Sequence, residues 1–190
     1  PYTLEPYSTE LYLLLATAYV ALALLVANGF RSRKQVRRLV LSIIVLGVFE
    51  AIYGLIQYLG GYNYIWDFPV SGNVARGTLI NRNHYAFLLN VSICSGIGWL
   101  YYRSVRLLRG ETLSVRRVLS APGSGQLAWM ILWIALLGLA LVFSMSRMGI
   151  AAMLGCVGVM IVFGKASEHG KRMTIIGLAT LCLILGLALY

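Results

Sequence analysis

Residues 76–86 read RGTLINRNHYA, and nine consecutive positions here hold Arg76, Asn81, Arg82, Asn83 and His84. A third arginine, Arg147, lies in SMSRMG at 144–149, the only charge in a long apolar run. A guanidinium keeps its charge at physiological pH and offers a planar fork of donors that matches phosphate oxygens. Asparagine amides donate to and accept from phosphate oxygens or sugar hydroxyls. Gly77 beside Arg76 permits positive φ and a close backbone approach. Asn83 reads as the N-cap of the helix that follows, whose free N–H groups favour an anion. The cluster thus suits a phosphate or diphosphate. Plainer roles stand beside this one: Arg82 snorkelling to lipid headgroups, and His84 capping or packing at a helix start.

The other residues that could do chemistry are in LVLSIIVLGVFEAIYGLIQYLGG, 39–61, where Glu50 stands among apolar neighbours. Tyr53 and Gln57 follow it at helical spacing on one face. A carboxylate inside an apolar helix is a functional candidate, and its plainer role is a protonated or arginine-paired strut. Glu50 and Gln57 are therefore included with Arg82, Asn81, Asn83 and His84 as expected substrate-binding residues, around Arg76 and Arg147.

The elements that position these residues follow from composition. The 190 residues are 59% hydrophobic and 12% charged, against about 25% charged in soluble domains. The apolar runs are continuous rather than alternating, so the expected fold is all-α, a polytopic helical membrane protein. Six spans are expected, at 11–30, 39–59, 84–102, 127–145, 148–164 and 173–190, forming one transmembrane domain over 1–190. The run from Leu127 to Gly164 is twice too long for one span, and SMSRMG is its natural turn. Cys94, Cys156 and Cys182 all fall in apolar runs with no ligand spacing, and read as packing residues. The ends of the chain read as cuts in a longer protein.

Basic residues then fix an orientation. Loops 31–38, 103–126 and 165–172 hold five, five and three of the 16 Lys and Arg. With six spans they share one side, which the positive-inside rule makes the cytoplasm, with both termini outside. The net charge of +10 is thus mainly a topology signal, and no nucleic-acid partner is expected. The basic residues left over, on the opposite side, are Arg76, Arg82 and Arg147. The outward carboxylates are Glu5, Glu10 and Asp67, with no pairing to hold a metal. Phosphate chemistry on that face would lean on arginine.

At these residues the chain resembles the O-antigen ligase and Wzy-type polymerase superfamily. The resemblance rests on GLIQYLGG, an outward loop, RGTLINRNHYAFLL, and then LVFSMSRMG, with YTLEPYSTELY similar to the loop that precedes them. It covers nearly the whole chain, and it departs where Met148 separates Arg147 from Gly149. It implies a GT-C-like helical bundle in the bacterial inner membrane, acting on the periplasmic face without metal or other cofactor. The implied donor is a glycan on undecaprenyl diphosphate, and the acceptor is a hydroxyl of another glycan, lipid A–core or a protein. By motif, Arg76 and Arg147 would be the catalytic pair holding the diphosphate. The family's acceptor-activating histidine, in a large periplasmic loop, is matched by neither His84 nor His169. The chain alone is therefore expected to carry the donor half of a site and to be inactive without the rest.

Two other classes remain open on sequence grounds. A transporter or flippase for a polyprenyl-linked glycan or another anion would use the same arginines with Glu50 as a coupling carboxylate, and would favour internal repeats and broken helices. A structural subunit would touch only lipid headgroups, and would tolerate glutamine at Arg76 and Arg147.

Overall fold

A computed structural model of the protein describes residues 6–108 and 124–165. These form α1 (Pro6–Gly29), α2 (Arg33–Gly60), a short hairpin of β1 (Tyr64–Ile65) and β2 (Phe68–Pro69), α3 (Arg82–Leu108), α4 (Ser124–Phe143) and α5 (Arg147–Lys165). The described chain divides between Leu39 and Val40 into two compact units. The expected span 173–190 and the basic loop 165–172 lie outside the described residues, except for Lys165 at the end of α5.

Three described helices are long and apolar enough to cross a bilayer: Tyr7–Gly29, Arg33–Gly60 and Ser124–Phe143. Arg147–Met160 is apolar but shorter. α3 is long enough, but Asn90, Ser92 and Ser95 lower its hydropathy below that of the others.

The first unit holds α1 and the start of α2. Large apolar side chains are exposed all around α1, among them Leu13, Leu14, Val20 and Leu25. A helix apolar on every side belongs in lipid or against other helices. The stretch RSRKQVRR was expected as a loop, yet from Arg33 onward it is helical. The reason is a capping box. Gln35 N–H donates to Ser32 Oγ at 3.2 Å, and Ser32 N–H donates to Gln35 Oε1 at 2.9 Å. Helix ends follow caps, whereas the apolar run marks only the part suited to lipid.

The second unit is built on α3. It packs along α4 and against α5, while α4 and α5 touch little. Each helix contributes a stripe at spacings of three and four: Leu127, Met130, Ile134, Leu137 and Leu141 on α4, and Tyr85, Leu89, Ile93 and Ile97 on α3. The part of α2 in this unit buries Ile44, Gly47, Ala51 and Gly54 on one face. A Cβ at Gly47 would strike Ser92, and one at Gly54 would strike the Tyr85 hydroxyl, so these glycines admit α3. Ser92 Oγ lies 3.2 Å from Ile43 O across the same contact. Outward-facing Phe49, Ile52, Trp129 and Leu132 stay exposed, which suits a lipid-facing surface.

The long apolar run breaks at Ser144–Ser146. Met145 takes a φ of +51°, a conformation a bulky side chain rarely adopts. Ser144 Oγ donates to Leu141 O at 2.6 Å to close α4. Ser146 Oγ accepts from Gly149 N–H at 3.1 Å to open α5.

Candidate functional site

The polar residues converge where α2 ends, α3 begins and α4 turns into α5. Glu50 organises the centre of this region. Its carboxylate is 5% exposed. Oε2 accepts the Thr78 N–H at 2.8 Å, and Oε1 accepts the Thr78 hydroxyl at 2.5 Å. The adjoining Tyr85 hydroxyl donates to Glu50 O at 3.3 Å. The Gly–Thr pair of RGT is thereby explained. Gly77 has φ +61°, and a Cβ there would run into Glu50 Oε2 and the Tyr85 ring. Glu50 is a strut whose partner is Thr78 rather than an arginine. The sequence shows a single acid in a span and a Gly–Thr pair in the next loop, but nothing in it pairs the two.

Arg76 is 8% exposed. Its Nη2 donates to Ser71 O at 2.6 Å and to Gly72 O at 2.9 Å, bracing the loop that carries it. Nε and Nη1 donate to none of the described residues. Ala75 N–H next to it donates to Phe143 O at 2.9 Å, tying this loop to the end of α4.

The N-cap of α3 is Asn81, which corrects the expectation for Asn83. Asn81 Oδ1 accepts Asn83 N–H at 2.8 Å, and Asn81 O accepts the Tyr85 N–H at 3.1 Å. An asparagine two positions ahead of the amide it caps fits the helix start, and one inside the first turn does not. Asn83 instead reaches across: its Oδ1 accepts the Ser146 hydroxyl at 2.8 Å. Farther along, Asn90 Nδ2 donates to Gly149 O at 2.8 Å, and a Cβ at Gly149 would strike Ala86. The starts of α3 and α5 are therefore bound together.

Arg82 and Arg147 are each the first residue of one of these helices. Both are exposed, as is His84, and none of the three side chains has a hydrogen-bond partner among the described residues. Two guanidinium groups thus stand beside two neighbouring helix starts, where backbone N–H groups and helix dipoles add positive potential. Arg76 enters from the adjoining loop. At the far end of the same unit, Arg103 instead bonds Gln126 and lies over the Trp99 ring, 5.4 Å from its centroid.

Gln57 belongs to a separate corner. It is buried, and its Nε2 donates to Tyr64 O at 2.7 Å. Tyr53 OH accepts the Trp66 N–H at 3.0 Å. Together they hold the β1–β2 hairpin to the end of α2. Gln57 is thus brought to the same end of the helices as the arginines, with no described bond to them. Among the described residues no cluster of three metal-ligating side chains occurs.

Comparison with protein-family models, with curated proteins and with solved structures yields no match for this chain.

Proposed function

We propose that this protein is a membrane-embedded glycosyltransferase, of O-antigen ligase or polysaccharide polymerase type, that takes a glycan from undecaprenyl diphosphate at the outer face of the bacterial inner membrane. The observation that carries the reading is the bond between Asn83 and Ser146, which joins two helix starts that each present an unpaired arginine. The resemblance in sequence supplies the substrate, and the site chemistry supplies a reason for it.

A glycosyl diphosphate already carries a good leaving group. The acceptor oxygen bonds to the anomeric carbon as the bond from that carbon to the diphosphate oxygen breaks. The electron pair leaves on the diphosphate, and the acceptor proton passes to a base. Charge therefore grows on the diphosphate, and fixed donors placed there lower the barrier. Arg147 and Arg82 take that charge from two helix starts. Arg76, already braced through Nη2, offers Nε and Nη1 without further ordering. That pre-organisation favours transition-state stabilisation over simple binding. Asn81 and Asn83 act on the framework by capping and by crosslinking. His84 lies in the first turn of α3, within the same polar surface.

The transporter alternative would need Glu50 to gain and lose a proton during a cycle. Both its oxygens are occupied by Thr78, so the enzyme reading is preferred.

The test is binding of undecaprenyl diphosphate to the chain in nanodiscs, with undecaprenyl monophosphate as control. Arg147→Gln and Arg76→Gln should each weaken diphosphate binding about tenfold or more, as loss of a charge-assisted bond implies. Equal and weak binding in all three proteins would sink the reading and leave arginines that meet only bulk headgroups.

A further inference from the structure

Beyond the arginines, the end of α2 and the hairpin border an open cleft of about 320 Å³, lined by Tyr53, Ile56, Gln57, Tyr62, Tyr64 and Trp66. We infer that this cleft is a carbohydrate subsite that seats one sugar ring. The inference rests on the preceding reading only for the source of that sugar.

Three observations carry it. The first is the lining, four aromatic rings with one amide. One face of a pyranose ring is apolar C–H surface, and its rim is hydroxyls. An aromatic wall and a fixed amide complement those two surfaces. A ligand site usually measures about 300–1,000 Å³, so a volume at the small end fits a single ring rather than an extended chain.

The second is an orphaned acceptor. Gln57 is 6% exposed, and its Oε1 is buried with no hydrogen-bond partner. Its Nε2 is committed to Tyr64 O, so the amide cannot turn to relieve Oε1 without breaking that bond. An acceptor left unpaired costs about 1–3 kcal/mol. Gln57 lines the cleft, so a sugar hydroxyl that reached Oε1 through a small shift of the wall would remove that penalty.

The third is a costly placement of Trp66. It occupies the first position of the two-residue turn between β1 and β2, with φ +52°. Two-residue hairpins ordinarily place glycine or asparagine at such a position. Here a tryptophan ring is held there, 63% exposed, with its centroid 5.4 Å from that of Tyr53. Strain of this kind collects at ligand clamps. Gly60 contributes by having no side chain, since a Cβ there would strike the Tyr62 ring.

The same exposed aromatics would suit an anchor at the membrane interface. An anchor leaves the orphaned Gln57 oxygen unexplained, so the sugar is favoured.

The experiment is ligand-observed saturation-transfer NMR on the chain in nanodiscs, with free N-acetylglucosamine, glucose and galactose as probes. Wild type should give a signal for at least one sugar. Trp66→Gly relaxes the backbone while deleting the ring. It should hold or raise the melting temperature and weaken the sugar signal about tenfold. Gln57→Leu should weaken it similarly. An equal signal in wild type and Trp66→Gly, or no signal for any sugar, overturns the proposal. So does quenching of Trp66 emission by lipids brominated near the headgroup without any sugar signal, which would make the hairpin an anchor. Free sugars carry no phosphate, so the two readings fail separately. Sugar binding without binding of glycan-free undecaprenyl diphosphate keeps the cleft and sinks the donor site. The reverse keeps the donor site and sinks the cleft.

Discussion

At the scale of single residues, the surprise is how much of RGTLINRNHYA builds the site and how little of it is left to touch a ligand. Thr78 chelates Glu50, Gly77 makes room for that carboxylate, Asn81 caps, and Asn83 crosslinks. Arg82 and His84 remain open. Gly77 is the least replaceable of these, because both its φ and its neighbours exclude a side chain. Gly77→Ala should destabilise the protein by about 2–5 kcal/mol, the sum of a left-handed backbone penalty and overpacking, read as earlier unfolding in a detergent titration. An unchanged midpoint would mean that the loop does not close on Glu50. The types of these residues were legible from the sequence; their division of labour was not. An asparagine that caps and an asparagine that bridges look alike until the helix start is known to within one residue.

At the scale of elements, the joint between α3 and α5 is decisive. Ser146 serves two partners, accepting from Gly149 N–H and donating to Asn83. Ser146→Ala should cost about 1 kcal/mol for the cap alone. A double-mutant cycle with Asn83→Ala should show a coupling of about 0.5 kcal/mol or more, the size usual for a hydrogen bond between helices in a membrane. Additive effects would argue that the two helix starts are not bound together. Element ends show where sequence reading stops. Continuous apolar runs located the body of each described helix, and length alone required a break in the run from Leu127 to Gly164. The start of α2 was set instead by the Ser32–Gln35 box, and α3 ran on to Leu108 through Arg103 and Arg106. Charged residues end an apolar run without ending a helix.

At the scale of the molecule, the second unit is polarised. Arg76, Arg82 and Arg147 stand at one end of the α3–α4–α5 assembly, and Arg103 and Arg106 at the other. The positive-inside rule predicts which end faces out, and accessibility tests it. In a background with the three cysteines changed to serine, Ile80→Cys, at a site 79% exposed, should react with a membrane-impermeant maleimide on intact cells. Arg106→Cys should react only after permeabilisation. The opposite pattern would invert the orientation. The buried Glu50–Thr78 contact and the aromatic hairpin were beyond sequence reasoning, since both depend on a loop folding back on the helix before it.

The account's central claim is that a diphosphate is held where α3 and α5 begin. A photoreactive undecaprenyl diphosphate analogue, with its label on the diphosphate, tests it most directly. After irradiation in nanodiscs and digestion, crosslinks are expected in 76–86 and 144–149. Crosslinks concentrated around Arg103 and Arg106, or spread evenly along the lipid-facing helices, would contradict it.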